Sequence, residues 1–283
     1  GTAMYEDLVQ LSDKEFTYIT KLLFDRFGIF LGDQKRVLVA GRLSKRLREL
    51  NLPDYTEYIE YLTADKTGTE LTELINRITT NHTFFFRERD HFDFLEKTVL
   101  PSLDSEKTGI PAQPLRIWSA GCASGEEVYS LSMLLREYYG PRFAAVDSGL
   151  LATDISLAAL REAEAGEYNV GKMRELPASY RNTYFLRKDE SVYTIRDDIR
   201  KMVMFKRLNL MADTFPMKGL FDAIFCRNVM IYFNQVSREK VVNALYRFVK
   251  PGGYLFIGHS ESLNRETCPF TYVKPAVYRK GEE

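Results

Sequence analysis

Apolar residues in the first hundred positions recur at helical spacing, whereas those after residue 114 come in short unbroken runs closed by glycine or acid. Val39, Leu43, Leu47 and Leu50 form one helical stripe. Ser12-Asp13-Lys14-Glu15 has the S-x-x-E form of a capping box ahead of an earlier helix. Pro53-Asp54-Tyr55 restarts a helix that runs through Leu62, and Leu71 to Ile78 gives a fourth. The stretch Pro101 to Pro114 carries Ser, Gly and charge and reads as a linker. Beyond it, Leu115-Arg116-Ile117-Trp118, Leu150-Leu151-Ala152-Thr153, Phe221-Asp222-Ala223-Ile224-Phe225 and Tyr254-Leu255-Phe256-Ile257 read as buried strands with helices between them. Strand and helix alternating in this way predict a parallel sheet covered on both faces. Tyr184-Phe185-Leu186, Val192-Tyr193-Thr194-Ile195 and Met202-Val203-Met204-Phe205 are short runs between charged turns, and suggest a small antiparallel sheet inserted in the parallel fold. The expected division is a helical domain over 4–95, a linker over 96–114 and an α/β domain over 115–283, with the insert at about 180–205.

The first of these strands leads into Gly121-Cys122-Ala123-Ser124-Gly125-Glu126-Glu127, a glycine turn followed by a helix that opens on two carboxylates. A phosphate-binding turn would carry a third glycine or a lysine. Two acids at that place repel a pyrophosphate and suit a cationic ligand. Asp154 ends the second strand, where an acid either binds a pair of ribose hydroxyls or caps the next helix. Pro251-Gly252-Gly253 reads as the turn before the last of the four runs.

Composition removes some function classes. Lysine plus arginine and aspartate plus glutamate both number 39, so no global charge draws the chain to nucleic acid or membrane. No apolar run approaches a membrane span and no signal peptide is visible, so a cytoplasmic protein is expected. Gly1-Thr2-Ala3 before Met4 reads as a remnant of cloning. Cys122, Cys226 and Cys268 are isolated, the three histidines share no ligand spacing, and no metal site is expected.

The order G-x-x-x-G, strand-end Asp, F-D-A-I-F and K-P-G-G-Y-L resembles the class I S-adenosylmethionine (SAM) methyltransferases. Asn81-His82-Thr83-Phe84-Phe85-Phe86-Arg87-Glu88, Ser119-Ala120-Gly121-Cys122-Ala123-Ser124-Gly125-Glu126-Glu127, Cys226-Arg227-Asn228-Val229-Met230-Ile231-Tyr232-Phe233 and Gly258-His259-Ser260-Glu261-Ser262 narrow the likeness. Together they resemble the chemotaxis receptor protein-glutamate O-methyltransferases (the CheR family), over about residues 10 to 280. The resemblance implies a Rossmann-like doubly wound α/β sheet with an N-terminal helical domain and a small inserted antiparallel β-subdomain. It implies SAM as methyl donor, S-adenosylhomocysteine as product, and glutamates on acidic helical chemoreceptor cytoplasmic domains as acceptors. Neither nucleic-acid binding nor membrane insertion is implied, and a monomer is expected.

The resemblance also assigns roles. Asn81, Thr83 and Arg87 belong to a segment that closes over the cofactor, with Arg87 paired to the SAM carboxylate. Gly121 belongs to the binding turn, Glu127 faces the methionyl amino end and Asp154 the ribose. Asn209 and Leu210 lie along the adenine, and Arg227 and Asn228 stand beside the reacting methyl. Arg87, Arg227 and Tyr232 are the candidates to hold the acceptor carboxylate, with a hydrogen bond from Tyr232 favoured over an arginine clamp. Among the N-terminal helices, Lys35, Arg42 and Lys45 gather on one side, with Arg46 and Arg48 around them. They read either as a solvated face or, by the resemblance, as the surface that meets the acidic receptor. Some family members tether a receptor C-terminal peptide to the inserted sheet. The short glycine-free turn Arg187-Lys188-Asp189-Glu190-Ser191 predicts that this chain works without a tether.

Three other functions fit parts of the pattern. A nicotinamide dehydrogenase shares the strand, turn and strand-end acid but needs a third glycine and lacks K-P-G-G-Y-L. A non-catalytic SAM-binding adaptor or sensor would keep the same ligand residues. A nucleic-acid amino methyltransferase would end its fourth strand in N/D-P-P-Y, where this chain has C-R-N-V.

Overall fold

The computed structural model describes residues 8–79 and 83–283. They form two compact units. The smaller holds residues 8–79 together with Asn209–Met211 and Tyr232–Arg238, and the larger holds 83–208, Ala212–Ile231 and Glu239–Glu283.

The smaller unit is built on α1 (Asp13–Phe27), α2 (Arg36–Glu49), α3 (Tyr55–Ala64) and α4 (Thr69–Ile78). The capping box forms in full: Glu15 N donates to Ser12 Oγ at 3.2 Å, and Ser12 N to Glu15 Oε1 at 2.9 Å. Asp54 caps α3 by accepting from Glu57 N at 2.9 Å. Val39, Leu43 and Leu47 turn inward from α2 and meet no solvent, as their spacing predicts. A polar knot sits in this apolar interior. Glu70, only 2 % exposed, accepts from Arg46 Nε at 3.1 Å, from Arg46 Nη2 at 2.6 Å and from the Tyr58 hydroxyl at 2.8 Å. Three donors offset the cost of taking that carboxylate out of water.

The larger unit opens with α5 (Arg89–Phe94), a wider turn over Leu95–Val99, and α6 (Leu100–Leu103). There follow β1 (Leu115–Ala120), α7 (Glu126–Tyr139), β2 (Ser148–Asp154), α8 (Leu157–Ala165), β3 (Glu167–Asn169), α9 (Ala178–Tyr184), β4 (Phe185–Arg187), β5 (Val192–Ile195), α10 (Asp197–Arg200), β6 (Val203–Arg207) and β7 (Phe221–Phe225). After α11 (Gln235–Phe248), whose first residues group with the smaller unit, come β8 (Val249–Phe256), β9 (Thr271–Lys274) and β10 (Val277–Arg279). Seven strands make one sheet in the order β6-β2-β1-β7-β8-β10-β9. Neighbours from β6 to β8 run parallel, and β10 runs antiparallel to both β8 and β9. All five residues of β7 are buried. That is the continuous apolar run expected of a strand covered on both faces, with one acid in it.

That acid is Asp222. It receives Lys250 Nζ at 3.0 Å and Arg116 N at 2.8 Å, joining the starts of β7, β8 and β1. The lysine of K-P-G-G is thus a strut for the sheet. The Pro-Gly-Gly segment is also no separate turn, since β8 runs through it with a register shift against β7.

Two expected boundaries differ. The linker predicted from residue 96 begins inside the larger core, because Leu95, Val99 and Leu100 are at most 2 % exposed. Pro101 lies in the first turn of α6, directly after the wider helical turn over Leu95–Val99. The run Met202–Phe205 was expected in the inserted sheet. β6 instead pairs in parallel with β2 at the edge of the main sheet, and the small antiparallel sheet is completed by β3, in the order β3-β5-β4. Short apolar runs carry no record of which partner they take. Among the described residues no helix is long and apolar enough to cross a membrane.

Candidate functional site

From β1 the chain moves outward through β2 to β6, then returns to the other side of β1 as β7. The strand order reverses between β1 and β7, and the crevice beyond their carboxyl ends is where open α/β sheets take ligands. The glycine turn leaves β1 at that place. Gly121 and Cys122 each donate a backbone N–H to Thr153 O at 2.8 Å. Gly121 has φ of 79°, and a Cβ there would lie 2.4 Å from Val229 Cγ2. Only glycine fits, because the β-branched Val229 has little freedom to turn away.

Asp154 braces the turn from the end of β2. Its Oδ2 accepts from Ala123 N and its Oδ1 from Ser156 N, both at 2.9 Å. Each oxygen keeps a further lone pair for a ligand hydroxyl. Burial pushes this carboxyl above its ordinary range, against the pull of the backbone N–H groups of Ser156, Ala123 and Ile155. The helix cap proper is Ser156, whose hydroxyl accepts from Ala159 N.

The paired acids that open α7 part company. Glu126 turns inward with no exposure, accepts from Ser124 Oγ at 2.9 Å and lies 3.4 Å from Lys172 Nζ. Burial raises its carboxyl too. Glu127 turns to the crevice and is held on both oxygens, by Ser119 Oγ at 2.6 Å and Arg227 Nε at 2.8 Å. One carboxylate, not two, is therefore offered to a cationic ligand.

Arg227 is itself buried, its side chain 3 % exposed. Its Nη1 donates to Arg87 O at 2.7 Å and to His91 Nδ1 at 3.2 Å, and lies 3.6 Å from Glu88. An arginine can only donate, so Nδ1 accepts and the neutral ring carries its proton on Nε2. Burial, and then the neighbouring Arg227 charge, hold His91 down to about 4. Glu261 clamps the other side of the crevice. It accepts from Asn228 N at 2.6 Å, Met230 N at 2.9 Å and Gly258 N at 2.8 Å. Glu88, His91 and His259 offer ligand atoms within 4.8 Å of one another, but the Arg227 guanidinium already meets the negative charge there. Four of the six non-glycine residues with positive φ among those described are Phe86, Glu88, Ala123 and Asn228. Such strain gathers at sites whose surroundings over-determine the backbone.

The expected residues fall into two sets. Thr83 and Arg87, both half-buried, belong with Gly121, Glu127, Asp154, Arg227 and Asn228 to the larger unit. Asn81 lies outside the described residues. Asn209, Leu210 and Tyr232 group with the smaller unit. The Asn209 amide donates to Arg26 O on α1 at 2.9 Å and its oxygen accepts from Met211 N at 3.0 Å, so the side chain is spent on backbone groups. Arg227 has Nε and Nη1 committed, and so is a support for Glu127. Phe85 and Phe86 are core while Phe84 is 38 % exposed. Sequence reasoning gave no role to Ser119, Glu88, His91 and Glu261, although all but His91 lie in the segments that carry the resemblance.

On the basic helix the correction is larger. Arg46 serves Glu70 inside the helical unit, and half-buried Arg42 donates to Ile78 O at the end of α4. Lys35, Lys45 and Arg48 are exposed.

Comparison with known families identifies the chain. The model described as "CheR methyltransferase, SAM binding domain" matches residues 81–278, and "CheR methyltransferase, all-alpha domain" matches 14–79. The chain belongs to the CheR methyltransferase family. The chemotaxis protein methyltransferase of Borreliella burgdorferi is 39 % identical over 273 residues, covering 96 % of each chain. That of Escherichia coli is 36 % identical over 276 residues, covering 96 % of this chain and 93 % of the other. This CheR-family chain is a SAM-dependent methyltransferase, and its donor set suits SAM. Asp154 has lone pairs left for two hydroxyls, Glu127 offers a fixed negative charge, and the turn carries no lysine for a pyrophosphate.

Proposed function

We propose that this chain methylates glutamate side chains on the cytoplasmic helices of chemoreceptors, forming glutamyl methyl esters and S-adenosylhomocysteine. The observation that carries this reading is the fixed carboxylate pair, Glu127 and Asp154, at the reversal point of a CheR-family sheet. Bound SAM supplies a methyl carbon activated by its sulfonium. Asp154 would hold the ribose hydroxyls, Glu127 the methionyl amino group and Arg87 its carboxylate. Arg227 positions Glu127, and its charge is spent in doing so. That suits an acceptor which is itself a carboxylate, because a tight arginine clamp would blunt its nucleophilicity.

No base is needed. A glutamate with a reference pKa near 4.3 is already anionic at neutral pH. The protein's task is to align the reactants and exclude water, which can supply several kcal/mol of the barrier. Exposed Lys35, Lys45 and Arg48 would meet the acidic receptor, and Tyr232 would donate a hydrogen bond to the acceptor.

Labelled methyl transfer to a receptor cytoplasmic fragment tests the reading. The label should leave as volatile methanol in alkali. Alkali-stable label would indicate N-methylation and overturn the carboxylate assignment. In Tyr232→Phe, loss of kcat with SAM affinity retained would support the acceptor bond, and parent kcat would remove it.

A further inference from the structure

Gly41 sits in the middle of α2, where glycine is among the worst helix formers. Among the described residues nothing asks for it. Its φ is not in the left-handed region, and among the described residues an added Cβ would meet only the end of the Leu8 side chain, at 4.0 Å. That is ordinary van der Waals contact, so alanine fits without displacement. The glycine is exposed, and the positions one turn to either side on the same ridge are Val37 and Lys45. Val37 is 71 % exposed and Leu8 36 %, so the notch has apolar borders. Lys35, Lys45 and Arg48 surround them with positive charge. An apolar centre with a charged rim is the anatomy of an interface, and a missing side chain on a helix ridge lets a second helix approach closely.

We propose that Gly41 is the crossing point at which an acidic receptor helix seats on α2, with Val37 and Leu8 as its apolar contacts and Lys35, Lys45 and Arg48 as its charged rim. This rests on the receptor-methylation reading above and goes further, because it assigns steric recognition to a residue without a side chain. The occupant follows from charge complementarity: an anionic helix with small or apolar residues facing the notch.

The test separates fold from docking. Gly41→Ala removes backbone freedom from a helix interior and should raise the melting temperature by about 2 °C. Gly41→Leu should at least match the parent in stability. If the notch is the seat, the KM for a receptor cytoplasmic fragment rises about threefold in Gly41→Ala and tenfold or more in Gly41→Leu, while SAM affinity by calorimetry is unmoved. A merely structural glycine would not give a stabilised enzyme with weaker receptor recognition. Parent-like receptor KM in Gly41→Leu overturns the seat and leaves receptor methylation standing. A parent enzyme that transfers no methyl group to the receptor overturns both.

Discussion

The glycine turn of the larger unit and α2 of the smaller one use charge in opposite ways. Around the turn, Glu127, Arg227, Glu88 and Glu261 are nearly dry and hydrogen-bonded to one another or to backbone. Along α2, Lys35, Lys45 and Arg48 face solvent, and the arginine that does form a buried fork, Arg46, serves its own fold. A small ligand with a fixed set of polar groups rewards side chains held in place beforehand, at a desolvation cost met by mutual pairing. A long acidic partner rewards charges that act at a distance and adapt on contact. On the proposed function, the difference is that between a small-molecule site and a protein-docking surface.

The largest test of that contrast is stability. Arg227→Leu would leave Glu127 and Glu88 without their buried partner, and should cost about 3–5 kcal/mol of unfolding free energy in urea titration. Lys45→Glu should change stability by about 0.5 kcal/mol or less. Equal costs would dissolve the distinction.

Next comes the pH dependence of the buried network. In the unfolded chain His91 takes a proton near its ordinary 6.5, while in the folded protein it stays neutral down to about 4. The unfolded state therefore binds more protons between those values, and stability falls as pH drops through that window. The loss should approach roughly 3 kcal/mol. His91→Gln keeps an acceptor for Arg227 but does not titrate, so its stability should fall less over the same range. Parallel curves for parent and variant would remove His91 as the source.

A smaller effect is expected at the ligand. Asp154→Ala should weaken SAM binding about tenfold, near 1.5 kcal/mol, the scale of hydrogen bonds to a charged group. Unchanged affinity by calorimetry would leave Asp154 as a loop brace alone. On α2, Lys35→Glu with Lys45→Glu should raise the receptor KM several-fold at low salt, and the gap should close as salt screens the parent. Arg42 is the wrong residue for this test because it also holds Ile78 O. The smallest effect concerns the inserted sheet. Asp189 closes its turn by accepting from Ser191 N at 2.8 Å and Val192 N at 3.0 Å. A receptor cut by its last few residues should be methylated at the parent rate, and a large loss would show that the turn admits a tethering peptide.

Much of this molecule was legible in the chain. The stripe Val39, Leu43 and Leu47, the box at Ser12 and Glu15, and the glycine turn are local features, and each formed where its spacing put it. The register of short strands was not legible. Met202–Phe205 satisfies the edge of the main sheet as readily as it would an insert, and a run of four residues cannot encode the choice. The charges were ambiguous in the same way. Glu126 and Glu127 look alike in sequence, yet helical spacing turns one inward to Ser124 and Lys172 and the other toward Arg227.

By itself the sequence determined the helices, the buried strands, the turn that departs from a phosphate loop, and the likeness to CheR methyltransferases, because these depend on residues close together in the chain. Tertiary structure alone decided which charges are working parts and which are struts. Arg227 reaches Glu127 across a hundred positions, Arg46 finds Glu70, and Lys250 finds Asp222. A charge's role is set by the partner that desolvation forces upon it, and that partner is chosen by topology.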